Sequence, residues 1–284
     1  MSESLLVVGA GYAGQRVLAQ ARASGQYHEL AGCRSADWNL DVDPADNARP
    51  QVRPTQVLYL VPPPTESEDD PRLRRALGGL LSPGHRVRRW VLASTTGVYG
   101  DAEGHRVDED TPVRPLTARA RRRLAAESLL QERCAAAHVE WCIVRIPGIY
   151  GPGRLPIERL RRGMPLPRFA KDRPGNRIHV EDLASALLLT LRHPAAANTI
   201  FNVGDGDATS TAEFQSKLAA LTGLMPPPLL PDEEARRQLG ADAWSFLTES
   251  RQVDTRRIRE CLGFRPRYGD CLAGLRASLA TNPP

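Results

Sequence analysis

The sequence predicts an α/β protein built on a doubly wound parallel sheet. Short apolar runs at 5–8, 28–33, 56–61, 89–93 and 141–146 are separated by stretches with helical character, a pattern that demands parallel strands joined by helical crossovers. A glycine-rich loop directly follows the first run, and a late apolar run at 199–203 supplies a further strand.

Leu5 to Val8 is continuously apolar, as a strand covered on both faces must be. Gly9-Ala10-Gly11-Tyr12-Ala13-Gly14 follows it and opens a helix over 15–24. Gly9 permits the tight turn, Gly11 lets backbone approach a pyrophosphate, and Gly14 lets the helix pack on the strand. The helix N-terminus adds N–H groups and a positive dipole end. In this setting the loop is a Rossmann-type dinucleotide site, with Gly9, Gly11, Tyr12, Ala13 and Gly14 as cofactor-binding candidates. A purely structural glycine turn is the alternative. The second strand ends in Gly32-Cys33-Arg34-Ser35. An NAD site usually carries an acid near this point. Its absence, with Arg34 and Ser35 in its place, favours NADP(H), Arg34 clamping the 2′-phosphate; NAD(H) is the second choice. Asp41 is placed to contact the adenine. The third run is stopped by Pro62-Pro63-Pro64, because three prolines cannot continue a central strand. Residues 66–70 read as a solvated acidic stretch leading into a helix. The strand at 89–93 ends in Ser94-Thr95-Thr96-Gly97, a long helix covers 117–134, and 141–146 is again a strand.

The second half is less regular. Residues 151–174 read mostly as loop with one short helix, and 181–192 as a helix with acids in its first turn and a basic residue in its last. Ser210 and Glu213 make a capping box, 225–231 reads as a proline-rich linker, and the tail from Glu233 as helical. The expected division is a dinucleotide domain over 1–150 and mainly a substrate lobe over 151–284, with segments near 177–206 returning to the first domain.

Composition narrows the function. The chain has 284 residues, 41% hydrophobic and 25% charged, enough for a packed core. Only two of its 38 basic residues are lysines, and arginine binds phosphate and carboxylate bidentately. An anionic ligand or an arginine-rich codon usage would each produce that bias. With 33 acids interspersed and 5% aromatics, a nucleic-acid partner is not expected. No apolar run reaches the ~20 residues of a membrane helix, and a first strand at Leu5 leaves no room for a signal peptide. The five cysteines lie far apart, without a Cys-x-x-Cys pair, so neither a disulfide framework nor a bound metal is expected. These features fit a cytoplasmic protein, monomer or homodimer, with a small-molecule substrate.

GAGYAG at 9–14, ASTTGVYG at 93–100, RIPGIYGPGR at 145–154, RIHVEDLA at 177–184 and FNVGDG at 201–206 stand in an order and spacing that covers nearly the whole chain. Together they resemble the extended or atypical short-chain dehydrogenases/reductases, the NAD(P)-dependent epimerase/dehydratase family. The resemblance implies an oxidoreductase or epimerase acting on a small oxygenated substrate beside the nicotinamide. It places Val61, Pro62, Pro63 and Pro147 along the cofactor and Thr95 at the catalytic Ser/Thr position. Alternatively, Thr95 is a strand-end hydroxyl satisfying backbone. His179 and Asp182 match positions that look structural, as do Tyr99 and Tyr150.

Three departures stand out. Val8 replaces an early glycine of the extended branch. The family's Tyr-x-x-x-Lys is absent, and counting back from Glu127 puts Arg119 at the tyrosine position and Arg123 at the lysine position. Arginine, with a pKa above ~12, exchanges no proton at neutral pH. Arg119 and Arg123 are thus candidates to bind an anionic group or cofactor hydroxyls, or they form an ion-paired helix face with Glu127. A non-catalytic NADP(H)-binding sensor is the rival function. Finally, Gly175 stands where sugar-nucleotide enzymes of the family place a diphosphate-binding arginine, with Arg177 nearby.

Overall fold

The computed structural model describes residues 3–42 and 50–281. Its elements, in chain order, are β1 (Glu3–Val8), α1 (Tyr12–Ser24), β2 (Tyr27–Cys33), β3 (Gln56–Tyr59), α2 (Pro71–Leu80), β4 (Arg89–Thr95), β5 (Arg106–Val107), α3 (Ala118–Ala136), β6 (Glu140–Ile146), β7 (Gly148–Tyr150), α4 (Ile157–Arg161), β8 (Leu166–Pro167) and β9 (Arg177–His179). There follow α5 (Val180–Arg192), β10 (Thr199–Asn202), α6 (Thr211–Thr222), β11 (Leu229–Leu230), α7 (Asp232–Thr248), β12 (Gln252–Val253), α8 (Arg256–Leu262) and α9 (Cys271–Thr281).

Among the described residues the central sheet has six strands in the order β10-β6-β4-β3-β1-β2, every neighbouring pair parallel. The side-chain alternation of strands sorts its residues between two layers. Leu5, Val7, Leu58, Val91, Cys142 and Val144 pack beneath α1 and α5, while Leu6, Val8, Val57, Tyr59, Trp90, Leu92 and Ile143 pack against α2 and α3. A strand buried on both faces has no polar positions, which is why the sequence shows continuous apolar runs. Fully burying one such side chain contributes roughly 1.5–3 kcal/mol. From β1 the chain passes outward through α1 to β2 and returns to β3 on the other side. The loops after β1 and β3 therefore diverge, and a crevice opens at the carboxyl ends of the strands.

The sequence reading and the structure part at a few places. Residues 66–70 are not all solvated: Asp70 is fully buried and caps α2, its carboxylate accepting from Leu73 N at 2.9 Å. The segment read as a linker carries β11, which pairs with β8. Two more short parallel pairs, β12–β5 and β7–β9, draw the second half onto the first. Strands of two or three residues carry no periodicity, so only tertiary pairing makes them visible. Among the described residues no helix is long and apolar enough to cross a membrane.

Candidate functional site

The glycine loop turns at the carboxyl end of β1. Gly9 has φ +92°, a left-handed value, and a Cβ there would lie 3.0 Å from Val61 N. A Cβ on Gly14 would lie 2.9 Å from Gly9 O and 3.2 Å from Val7 Cγ1, so the helix sits as close to the strand as it does because residue 14 has no side chain. Gly11 differs from both: a Cβ there meets nothing within 4 Å. Its bare backbone faces open space and caps α1 without any side-chain hydrogen bond, and the first turn holds no acid. Asp70, Thr117, His179 and Ser210 cap α2, α3, α5 and α6 with their side chains, whereas no side chain caps the first N–H groups of α1.

The loop forms one wall of a cleft of about 960 Å³. Gly9, Gly11, Tyr12, Ala13 and Gly14 line it, as do Arg34, Ser35 and Asp41 at the end of β2 and beyond, Val61, Pro62 and Pro63 after β3, Pro147 after β6, and Thr95, Arg119 and Arg123. The cofactor-binding candidates and Thr95, Arg119 and Arg123 thus line one cavity. Trp38 and Leu40 add an apolar wall, and Arg72, Arg122, Arg154 and Phe246 also line the cleft.

Several side chains are engaged differently from the sequence reading. Arg34 donates from Nε to Ala10 O at 2.8 Å, which ties it to the glycine loop, and its backbone N–H donates to Asp37 Oδ2 at 2.8 Å. Asp41 is held by Arg72 at 2.6 and 2.7 Å, and Arg72 also reaches Pro62 O at 3.1 Å. These hydrogen bonds lower the Asp41 pKa and fix the rim of the cleft, so the carboxylate set aside for adenine is committed to Arg72. The ion-paired helix face does not form. Glu127 turns inward to Arg145 of β6 at 2.8 Å and to Ser94, fully buried, while Arg123 donates to Ala93 O at 3.0 Å and Val61 O at 3.2 Å. Arg123 thereby joins the ends of β3 and β4. Burial pushes its pKa down, and the charges of Asp70, Tyr59 and Glu127 act in the opposite direction. Arg119 reaches Ser245 Oγ at 3.0 Å and stacks 3.6 Å from the Phe246 ring.

Thr95 Oγ1 accepts from Gly97 N at 3.1 Å, the backbone-capping role open to a strand-end hydroxyl, which leaves its proton to donate elsewhere. Thr95, Arg119, Pro147, Ile149, Arg154 and Phe246 also border a second cavity of about 530 Å³, in which Arg173, Arg177, Arg251 and Glu249 take part. A side chain on Gly175 would collide with the Arg177 guanidinium and with Thr209 O. Arg177 therefore fills the space that an arginine at 175 would need, and brings a cation to the same cavity.

Burial raises the pKa of the tyrosines near these cavities. Tyr12 lines the larger cleft, bonds Pro152 O at 3.1 Å, and has its pKa raised by burial. Tyr99 is buried between Asn202 and Arg145. The Tyr150 hydroxyl points at Gly274 of α9, and burial raises its pKa too. His179 caps α5 and contacts Ser278, and Asp182 accepts from Arg267 N and Tyr268 N, so both are packing residues. Sequence reasoning missed Phe246 and Glu249, which carry no motif, and Arg154, which ends one.

The NAD dependent epimerase/dehydratase family matches residues 80–204. Protein YeeZ of Escherichia coli (strain K12) is 32% identical over 188 residues, covering 66% of this chain and 61% of that protein, so the chain spans less than two thirds of this relative's length. UDP-glucose 4-epimerase of Vibrio cholerae is 30% identical over 153 residues, covering 50% of this chain and 46% of that protein. Among solved structures, a functionally unknown conserved protein from Silicibacter pomeroyi superposes with a TM-score of 0.82 at 31% identity, over 99% of both chains. MoeE5 in complex with UDP-glucose and NAD superposes with a TM-score of 0.74 at 25% identity, over 98% of this chain and 97% of that one. With its six-stranded parallel sheet and its glycine loop at the crevice the chain has a Rossmann-type fold, and its residues 80–204 match the NAD dependent epimerase/dehydratase family.

Proposed function

We propose that the chain binds a nicotinamide dinucleotide in the larger cleft and uses it to move hydride to or from an oxygenated, anionic small molecule in the adjoining cavity. The observation that carries this reading is the uncapped N-terminus of α1 behind an open Gly11, facing arginines that have no carboxylate partner. Among the described residues Arg34, Arg119, Arg122, Arg123 and Arg154 line the cleft without an ion pair, and only Arg72 is neutralised, by Asp41. Such a field favours a ligand with several negative charges. The pyrophosphate would rest on the N–H groups of Gly11 to Ala13, with the adenine end towards Trp38 and Leu40 and the nicotinamide towards Thr95 and Pro147. When bound, the cofactor supplies the hydride chemistry and the protein supplies position and charge.

NADP(H) is our first choice, with Arg34 beside the 2′-phosphate. NAD(H) is the second, and the Asp37 carboxylate next to the Arg34 backbone is the group that argues for it. Residues 1–150 would hold the dinucleotide, and 151–284 would shape mainly the substrate side. The substrate would donate a hydrogen bond to, or accept one from, Thr95 and present its anionic group to Arg119 and Arg154. MoeE5 was solved with UDP-glucose and NAD, which makes a sugar nucleotide the first compound to try.

The absent Tyr-x-x-x-Lys favours the second reading, a non-catalytic dinucleotide sensor. Calorimetric titration with NADP(H) and NAD(H), followed by absorbance at the nicotinamide band with a panel of anionic alcohols and ketones, separates them. Binding with turnover supports the enzyme, binding without turnover supports the sensor, and no binding rejects both.

A further inference from the structure

From the walls of the second cavity we infer that Glu249 is the group that takes up the substrate's hydroxyl proton, the role that neither Arg119 nor Arg123 can fill. The inference rests on the dinucleotide reading above and deepens it.

Glu249 follows α7 directly, and its side chain is 7% exposed. One carboxylate oxygen is fixed: Oε2 accepts from Arg251 Nη1 at 3.0 Å and also from Nη2. Arg251 is itself anchored at the carboxyl end of β4, donating to Thr96 O at 3.2 Å and Gly100 O at 2.9 Å. The second oxygen, Oε1, is closed to water and has no hydrogen-bond partner. A buried, charged acceptor without a donor is costly to keep, and this one stands on the wall of a cavity. Here Glu249 shares its cavity with Thr95, Thr96 and Arg119, of which Thr95 and Arg119 also line the larger cleft.

The chain can also open this corner. α7 is broken at Gly240, with φ 73° and ψ 165°. The segment beyond the break is held to the cavity by guanidinium groups, Arg119 on Ser245 and Phe246, and Arg173 on the carbonyls of Leu247 and Thr248. Access to Glu249 requires that an anionic substrate compete for those same two arginines and so loosen the cover over it.

With an oxidised dinucleotide bound as co-reactant, a carbinol C–H would break and its electron pair and hydrogen would pass to the nicotinamide. The O–H bond breaks, its electron pair closes the C=O bond, and the proton forms a new O–H bond on Oε1. The carbon is oxidised by two electrons and the nicotinamide is reduced. Arg251 keeps the carboxylate oriented, and Thr95 donates to the developing carbonyl oxygen.

The test uses the full chain with NAD and NADP as cofactors and UDP-glucose and UDP-glucuronic acid as probes. Glu249 does not line the dinucleotide cleft, so Glu249→Gln should leave dinucleotide affinity within a few-fold, while the melting temperature falls because the buried Arg251 loses its charge partner. It should weaken a sugar-nucleotide probe about tenfold by calorimetry without dinucleotide, because a charged acceptor becomes a neutral one. Single-turnover reduction of the dinucleotide should fall by about 10²–10⁴-fold. Formate should restore part of the rate in Glu249→Ala, which a purely structural role would not show. Wild-type reduction unchanged in Glu249→Gln, or a wild type that binds cofactor and probe yet reduces nothing, overturns the inference while the binding reading stands. A wild type that binds neither dinucleotide overturns both. If Glu249→Gln fails to fold, Glu249→Asp takes its place: a retained fold with a rate drop rescued by formate supports the role, and an unchanged rate overturns it.

Discussion

Gly11→Val and Gly14→Val make the sharpest contrast the structure offers, because two glycines three residues apart have opposite surroundings. A Cβ at 14 lies 2.9 Å from Gly9 O and 3.2 Å from Leu60 Cδ1, both fixed by the core. Forcing a branched side chain in should cost about 1–3 kcal/mol, as overpacking does. For a chain of this size each kcal/mol lowers Tm by about 2–4 °C, so Gly14→Val should melt several degrees below wild type. A Cβ at 11 touches nothing, so Gly11→Val should melt within a degree or two of wild type. Its isopropyl group would occupy the space the pyrophosphate needs. Losing even one charge-assisted hydrogen bond of about 1.5–3 kcal/mol lowers affinity by about ten- to a hundredfold. Calorimetric titration with NADPH and NADH reads the affinity, and scanning calorimetry the melting. A Gly11→Val protein with wild-type Tm and wild-type affinity would falsify the assignment of this loop as a phosphate cradle.

Arg34→Ala should weaken NADPH about tenfold and NADH little, measured by the same titration; equal wild-type affinities for the two cofactors would remove the 2′-phosphate role. Arg123→Ala should lower Tm, since it leaves the carbonyls of Val61 and Ala93 without their donor, whereas Arg119→Ala should leave Tm near wild type and weaken anionic probes. The opposite pattern would reverse their assignments. Glu127→Ala strands the buried Arg145 and should cost about 3–5 kcal/mol by denaturant unfolding. Asp205 is buried with Oδ2 unpartnered, and burial raises its pKa to about 7. A carboxyl raised above its unfolded value binds more protons in the folded state, so its contribution is fullest below pH ~4 and is lost as pH rises towards about 7. Asp205→Asn should flatten that loss and stabilise the fold by a few kcal/mol at pH 8; an unchanged pH–stability slope would contradict it.

The readable parts of this chain were those encoded locally. The glycine loop, the strand runs beside it and the Ser210 cap of α6 depend on residues within a few positions of each other, and each stands in the structure where the sequence puts it. What misled depends on tertiary packing that the local pattern does not report. The spacing of Arg119, Arg123 and Glu127 suggests a solvated ladder, but Arg145, 18 residues beyond Glu127, claims that carboxylate from a neighbouring strand. Asp70 looks like one acid among several and is a buried cap. Gly175 looks like a lost arginine until Arg177 is seen to occupy its space. Phe246 and Glu249 reach the cavities only because the tail folds back over β4, which no local pattern announces.

The central claim is that a nicotinamide dinucleotide lies along the crevice between β1 and β3. A crystal structure of the chain grown or soaked with NADPH tests it most directly. The account predicts pyrophosphate oxygens at hydrogen-bond distance, about 2.7–3.2 Å, from the backbone N–H groups between Gly11 and Ala13, with the nicotinamide beside Thr95 and Pro147. A dinucleotide bound elsewhere, or a cleft that stays empty at millimolar NADPH and NADH alike, would contradict it.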